Sequence, residues 1–255
     1  MILAAQSWTI RSVEFPPFFQ GTMVTDINAD DLVRSHPIFR DLGDHEIEQL
    51  LQVSHERKLV SHEPLFLKGD SSGFLFFVKS GKIQISTSSV DGKEVILDVL
   101  KQGDCFGEIG LFDGQPRTAD AIAYDASVVL MLPKEAVLRI VESNTGTAKQ
   151  VIQFLCDRIR WVSDTVEDLA FLKVEERLAK RIIHLCHKHG KNIGDQIVID
   201  FPVSQEHLAN MAGMTRERAN LVLNKWKNDG LIITKRNEIR ILDIDALFEI
   251  FCRDL

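Results

Sequence analysis

The stretch from Arg57 to Pro133 constrains the fold most, because turn dipeptides interrupt it at intervals of about 11–12 residues. Dipeptides such as Ser80-Gly81 and Asp91-Gly92 separate short runs rich in Val, Ile, Leu and Phe. Short strands with such regular turns are typical of an antiparallel sandwich or jelly roll. The last run, TADAIAYDASVVLMLP, ends at Pro133. We therefore predict an antiparallel β-domain here.

After Pro133 the apolar residues change to a spacing that alternates four and three residues: Ala148, Ile152, Leu155, Ile159, Val162, Val166 and Leu169. A strict repeat of 3.5 residues forms a narrow seam, which is what a helix needs to pair with a copy of itself. The alternative is a single amphipathic helix on its own domain, whose apolar stripe is usually wider. The pattern favours dimerisation.

The two ends of the chain are predicted to be mainly helical. Helical spacing between Asp30 and Val53 fits two or three short helices. The C-terminal part predicts two helices joined by a Gly-containing turn and followed by a β-hairpin, the pattern of a winged helix-turn-helix. Its predicted elements are helix Val174–His189, strand Ile197–Phe201, helices Gln205–Ala212 and Arg216–Asp229, and the hairpin around Lys235–Asn237.

Charge is distributed unevenly along the chain. The net charge is −7, yet the stretch from Val203 to Arg240 holds seven Lys/Arg against four Asp/Glu, a local balance of +3. The negative net charge therefore excludes a protein that binds nucleic acid through its overall charge. Any DNA contact has to come from a local basic patch. The charge pattern alone favours a solvated helix face over a DNA-binding patch.

Cysteine usage and hydropathy indicate the cellular context. The four cysteines are far apart and form no C-x-x-C pattern, which predicts reduced cytosolic thiols: Cys105, Cys156, Cys186 and Cys252. Apolar runs of the roughly 18–20 residues that span a bilayer are absent from the sequence. We interpret residues 1–29 as an N-terminal arm and expect a cytoplasmic protein without a membrane partner.

The segment GDCFGEIGLFDGQPRTADAIA suggests an anion site. Gly107-Glu108-Ile109-Gly110 can start a one-turn helix, whose free backbone N–H groups attract an anion. The planar fork of Arg117 suits a phosphate diester, and Glu108 offers an acceptor for a sugar hydroxyl. The spacing alone favours a simple loop ion pair between Glu108 and Arg117 over an anion site.

FGEIGLFDGQPRTADAIA closely resembles the phosphate-binding cassette of the cyclic AMP receptor protein (CRP/FNR) family, and the likeness follows residues 37–250 in segment order. It implies an α+β fold with a jelly-roll cyclic-nucleotide-binding domain at 30–145, a dimerisation helix at 146–172 and a winged helix-turn-helix at 173–255. It implies a regulator that binds cyclic AMP, or cyclic GMP, as allosteric ligand through Phe106, Gly107, Glu108, Ile109, Arg117 and Thr118.

In that family two hydroxyl residues on the dimer helix read the purine. The similar stretch DLAFL at 168–172 aligns Val162 and Ser163 with them. Ser163 keeps a hydroxyl, whereas Val162 can neither donate nor accept a hydrogen bond. A site missing one polar group should discriminate less between cyclic AMP and cyclic GMP.

GMTRERANLVLNKW resembles the recognition segment of the same family. Ser204 and Thr215 stand at the N-cap positions of the two helices. Arg216 can contact guanine, Glu217 can accept from cytosine and Asn220 can read adenine, while Leu221 replaces a usual arginine. Arg218, Lys225 and Lys235 are expected phosphate contacts. The implied partners are double-stranded DNA, a second copy of the chain and RNA polymerase.

Rival interpretations keep parts of this picture. One is a regulator of the same fold that is constitutive or answers a different effector. Another is a jelly-roll enzyme, but the strand region after Arg57 offers only His62 and no catalytic motif appears. A metal site at His184 and His187 is a further alternative, although a helix C-terminus favours cationic side chains for dipole reasons. We predict no enzyme activity and no metal.

Overall fold

The computed structural model describes residues 27–235 and 237–252. Most of the predicted N-terminal arm, and Arg236 of the hairpin, therefore lie outside the described residues. The first part of the chain, here called the β-unit, contains α1 (Ala29–Arg34), α2 (Asp44–Gln52), β1 (His55–Leu59), β2 (Pro64–Phe66), β3 (Phe74–Ser80), β4 (Ile83–Ser88), β5 (Glu94–Leu100), β6 (Cys105–Phe106), α3 (Glu108–Asp113), β7 (Asp120–Ala123), β8 (Ser127–Pro133) and α4 (Lys134–Ser143).

The strands of the β-unit form two antiparallel four-stranded sheets, in the orders β1-β8-β3-β6 and β2-β7-β4-β5. Apolar residues of both sheets, such as Val78 and Val129 of one and Ile83 and Ala121 of the other, meet in one core. The predicted antiparallel sandwich is confirmed. The last predicted run is two strands instead of one, because the chain turns after Tyr124, where the Asp125 carboxylate accepts from the backbone N–H of Lys82.

Strand β3 reads as an unbroken apolar run because both of its faces are buried. Phe76 and Val78 face the sandwich, whereas Leu75 and Phe77 pack under α1, α2, α4 and the start of the next helix. This alternation follows the two-residue period of a strand. It places helices on one sheet and leaves the other sheet for the C-terminal part of the chain.

Helix α5 (Thr145–Phe171) is 27 residues long, about 40 Å. Val151 and Phe154 on its first turns pack on the β-unit. Of the predicted seam, Ala148 and Leu155 are half-buried, and the other five side chains are exposed in the single chain, Ile159 by 66%. The helix therefore presents an apolar stripe that its own β-unit does not cover.

The winged-helix unit comprises α6 (Val174–His189), β9 (Gly190–Ile193), β10 (Gln196–Ile199), α7 (Gln205–Ala212), α8 (Arg216–Asn228), β11 (Ile232–Lys235), β12 (Glu238–Ile241) and α9 (Ile244–Phe251). The predicted helix pair and hairpin are confirmed, and Gly213 makes the turn between α7 and α8 at φ 62°. Strands β9 and β10 extend the hairpin into a sheet of order β11-β12-β10-β9. The sequence reading missed β9 and α9.

Within the described ranges, no helix is both long enough and apolar enough to cross a membrane.

Candidate functional site

The predicted anion site forms where β6 runs into α3. Gly107 is the residue before the helix and has φ 84°, the left-handed region that glycine adopts without strain. A Cβ atom at this position would lie 2.6 Å from Nη1 of Arg117. Gly107 is therefore required twice, for its backbone conformation and for the close approach of the guanidinium.

We expect Gly107→Ala to destabilise the chain by more than the roughly 1–2 kcal/mol that left-handed backbone alone costs an alanine, because the new methyl group displaces Arg117. Gly92→Ala is the matched control, since Gly92 has φ 78° but no heavy atom within 4 Å of its Cβ position. Urea unfolding of both variants measures the difference. Equal losses of free energy of unfolding would show that the contact with Arg117 has no energetic weight.

Arg117 is held inside the β-unit and is only 5% exposed. Its Nη1 donates to the carbonyl of Gly107 at 2.7 Å and its Nη2 to the carbonyl of Phe74 at 2.8 Å. Its guanidinium carbon lies 4.4 Å from the ring centre of Phe66 and 5.1 Å from that of Phe76. Burial lowers the pKa of Arg117, and the more distant Glu108 and Asp70 offset part of this effect.

The Arg117 guanidinium has no anion in contact with it in the part of the chain that the structure describes, although Glu108 and Asp70 attract it from a greater distance. No carboxylate forms an ion pair with it there, and its buried Nε lacks a hydrogen-bond acceptor. A buried cation without a counter-ion is unfavourable, so the position is suited to an anion that arrives from outside. The alternative of a loop ion pair between Glu108 and Arg117 is not what the structure shows.

Glu108 pairs instead with Arg158 of α5, whose Nε lies 3.3 Å from Glu108 Oε1. Arg158 also donates to the carbonyl of Cys105 at 3.3 Å. Burial lowers the pKa of Arg158, but Glu108, Asp98 and Asp104 outweigh that effect and raise it overall. The sequence reading missed Arg158. A usable signal was its position four residues before Val162, on the same face of a helix.

The other residues expected at this site are less closely gathered. Phe106 is buried and stacks on Phe76 with ring centres 5.2 Å apart. Thr118 and Ile109 belong to the cassette segment, and both are exposed. Val162, in the second half of the seam, and its neighbour Ser163 are both exposed on α5. The single chain thus presents the phosphate end of the predicted site as a compact cluster and the purine end as an open helix surface.

The predicted nucleic-acid interface lies on α7 and α8. Ser204 and Thr215 are N-caps, as predicted: their side-chain oxygens accept from the backbone N–H groups of His207 and Arg218. The side chains expected to reach DNA are exposed on the first turns of α8 and on β11, with Asn220 half-buried: Arg216, Glu217, Arg218, Leu221 and Lys235. Hydrogen bonds from its own backbone and from Thr215 lower the pKa of Glu217.

Lys225, expected to contact a phosphate, is engaged within the chain. Its Nζ lies 2.9 Å from Glu175 Oε1, which also accepts from the indole N–H of Trp226 at 3.0 Å. Glu175 stands in the first turn of α6, so this contact ties the end of α8 to the segment that follows α5.

Burial of the histidines near the end of α6 opposes the dipole effect, which favours their cationic form. Burial lowers the pKa of His184 and of His187, and it lowers the pKa of His189 to about 2. Among the described residues no three His, Cys, Asp or Glu side chains are arranged to hold a metal ion.

Comparison with known proteins gives a match in the β-unit and another in the winged-helix unit. Residues 56–144 match the model of the cyclic nucleotide-binding domain, and residues 176–250 match that of the Crp-like helix-turn-helix domain. The chain is 25% identical over 218 residues to a CRP-like cAMP-activated global transcriptional regulator of Mycobacterium tuberculosis, covering 86% of this chain and 97% of that protein.

It is 26% identical over 218 residues to the cyclic AMP receptor protein of Thermus thermophilus, covering 86% of this chain and 98% of the relative. Among solved structures, the c-di-GMP responsive global regulator CLP of Xanthomonas campestris superposes with a TM-score of 0.64. The two chains are 25% identical, and the match covers 79% of this chain and 100% of that one.

Proposed function

Because the chain belongs to the CRP/FNR family of cyclic-nucleotide-binding, DNA-binding transcription regulators, we propose that cyclic AMP, or cyclic GMP, binds its cassette and controls its contact with DNA. The family consists of transcription regulators and not of enzymes. The observation that carries the proposal is the buried Arg117 guanidinium, which has no carboxylate partner among the described residues. A cyclic phosphodiester supplies the missing charge.

In the proposed complex Arg117 binds the phosphate through those guanidinium N–H groups that do not donate to the carbonyls of Gly107 and Phe74. The backbone around Phe106, Gly107, Ile109 and Thr118 lines the same site. Glu108 accepts from the ribose hydroxyl, and in the ligand-free chain Arg158 holds that carboxylate in position.

Cyclic AMP is the default effector, supported by the two named relatives. Cyclic GMP is the alternative mononucleotide because of Val162. Val162 offers no hydrogen bond to a base edge, so Ser163 alone supplies a hydroxyl at the purine end. A different effector is the second candidate. It is supported by this apolar position and by the similarity to a regulator described as c-di-GMP responsive.

We propose a homodimer joined along the exposed seam of α5. Burying the seam removes Ile152, Ile159 and Val166 from water in both copies, which favours association. Each purine end then lies beside the partner copy, and the two α8 helices are set about one DNA turn apart, roughly 34 Å. The proposed division is 30–145 for the effector domain, 146–172 for the dimer helix and 173–255 for the DNA-binding domain.

On DNA we propose that Arg216 and Glu217 read bases, with Asn220 and Leu221 altering the preferred site. Ser204, Thr215, Arg218 and Lys235 position the duplex through its phosphates. Lys225 joins them only if its pair with Glu175 opens. We further propose that the dimer works in the cytoplasm, where the bacterial chromosome lies, and contacts RNA polymerase.

Arg216→Ala is expected to weaken DNA binding about 10- to 100-fold, because one bidentate base contact contributes roughly 1–3 kcal/mol. The probe is a labelled duplex that the wild-type protein enriches from a randomised pool, measured by fluorescence anisotropy. Lys227→Ala is the matched control, since Lys227 is exposed near the other end of α8. Equal losses for the two variants would contradict the assignment of α8 as the reading helix.

The effector assignment is tested by calorimetric titration of nucleotide-free protein with cyclic AMP, cyclic GMP and cyclic di-GMP at fixed salt. We expect saturable binding of at least one cyclic mononucleotide. Binding of cyclic di-GMP alone would support the second candidate. Absence of heat with every ligand would refute the sensor and leave the DNA-binding function standing.

A further inference from the structure

A buried cluster of charges joins the winged-helix unit to the β-unit. The Lys188 side chain, near the end of α6, is 0% exposed. Its Nζ lies 2.8 Å from Asp98 Oδ2 of β5 and 3.0 Å from Asp104 Oδ2 of the following turn. Burial acts to raise the pKa of Asp98, but Lys188 and His184 lower it well below its ordinary range. One ammonium group thus lies between two carboxylates from the other unit.

Further contacts beside this cluster hold α6 against β5 in the same position. Lys101 Nζ donates to the carbonyl of Lys188 at 2.7 Å, and His189 Nε2 lies 2.9 Å from the carbonyl of Val99. Ile96 and Val99 complete the apolar core of the winged-helix unit. Buried ion pairs add little net stability, yet breaking one leaves an uncompensated charge, so they specify one arrangement over others.

The cluster is also close to the cassette. Asp104 directly precedes β6, which leads through Gly107 to Glu108. Arg158 bonds to Cys105 and Glu108, and Asp98 and Asp104 both act on its pKa. The charge of Arg158 therefore interacts both with Glu108 of the cassette and with the two carboxylates of the interdomain cluster.

In this arrangement of the two units, part of the surface that we propose to contact DNA lies opposite carboxylates. A cleft of about 660 Å³ separates the units, with Ser204 of the α7 cap and Asn237 of the hairpin turn on one wall. Glu94 and Asp125 stand on the other wall, and Asn210 of α7 donates to Glu94 at 3.4 Å. DNA phosphates approaching the start of α7 or the hairpin meet these like charges, which disfavours duplex binding.

We propose that Asp98, Asp104 and Lys188 form an ionic latch that holds the winged-helix unit on β5 in an arrangement that binds DNA weakly. A ribose hydroxyl at Glu108 competes for that carboxylate, which frees Arg158 to turn toward Asp98 and Asp104 and to compete with Lys188. The latch rests on the interdomain contacts alone, whereas its opening through Glu108 rests on the proposed function.

The test is effector-free DNA binding of the double variant Asp98→Asn/Lys188→Met, which removes a pair of charges without changing the net charge. With the selected duplex, we expect binding roughly tenfold tighter than wild type, a factor within the usual range of coupling between sites. The matched control is Asp200→Asn/Lys191→Met, because that pair lies at 2.8 Å in the same unit but is half exposed. We expect the control to bind like wild type.

A folded double variant whose effector-free affinity equals or falls below that of wild type overturns the latch. If the double variant fails to fold, Glu94→Gln decides in its place. It removes a carboxylate from the cleft wall, and unchanged or weaker DNA binding overturns the proposal. If the wild-type protein binds no cyclic nucleotide, the effector assignment is refuted. If the double variant nevertheless binds DNA more tightly than wild type, the latch is supported independently of the effector.

Discussion

Arg117→Ala is expected to weaken cyclic-nucleotide binding by about a hundredfold or more. Two charge-assisted hydrogen bonds to a phosphate contribute roughly 3–6 kcal/mol together, and each 1.4 kcal/mol is a factor of ten in affinity. The phosphate also loses its cation in a site where burial makes charges costly. Calorimetric titration of the variant and of wild type with the same nucleotide measures the loss.

Arg117→Lys separates the charge from the shape of the side chain. Lysine keeps the positive charge but cannot hold the carbonyls of Gly107 and Phe74 while also presenting a planar fork to the phosphate. We expect an affinity between those of wild type and Arg117→Ala.

Arg57→Ala is the control for loss of an arginine from the β-unit, because Arg57 is exposed and pairs with Glu63. Thermal unfolding of each variant identifies losses that are due to folding. If folded Arg117→Ala binds the nucleotide as wild type does, the cassette is not the effector site.

Ile159→Lys is expected to weaken the dimer by at least about a hundredfold. Each copy loses the burial of an isoleucine, roughly 1.5–3 kcal/mol, and an ammonium group enters the seam in both copies. Ile159 is 66% exposed in the single chain, so the substitution leaves the fold of each copy intact. Sedimentation equilibrium measures the dimer dissociation constant, and DNA affinity should fall with it because only a dimer contacts two half-sites.

Gln153→Lys is the matched control on the same helix. Gln153 is exposed on α5 outside the apolar repeat and contacts only Asp157 in the described hydrogen bonds. It adds the same charge away from the seam, so we expect its dimer constant to equal that of wild type. A dimer equally stable in Ile159→Lys and Gln153→Lys would place the subunit interface elsewhere.

The helix pair α7–α8 was predictable almost to the residue because its signals are local. Ser204 and Thr215 cap the helices through side chains that bond three residues along the chain, and Gly213 supplies the left-handed turn. Most strands of the β-unit were predictable for a similar reason, since turn residues mark their ends, but β6 lies outside the predicted runs. β9 gave no such signal, because its four exposed residues form a strand only by pairing with β10.

The residues of the candidate site were predictable only where they lie close together in the sequence. Gly107, Glu108 and Arg117 lie within one short segment, so their proximity follows from chain length. The pairing of Glu108 with Arg158 brings together residues 50 positions apart, and that of Asp98 with Lys188 joins residues 90 apart. Such pairs depend on how α5 and α6 pack on the β-unit, which no local pattern encodes.

The claim that a cyclic nucleotide at the cassette controls DNA binding is tested most directly by one anisotropy titration. The selected duplex is titrated with nucleotide-free protein and then with protein saturated by cyclic AMP or cyclic GMP, at one fixed salt concentration. We predict a DNA dissociation constant at least about tenfold lower with one of the two nucleotides. Identical dissociation constants with and without a nucleotide that calorimetry shows to be bound would contradict it.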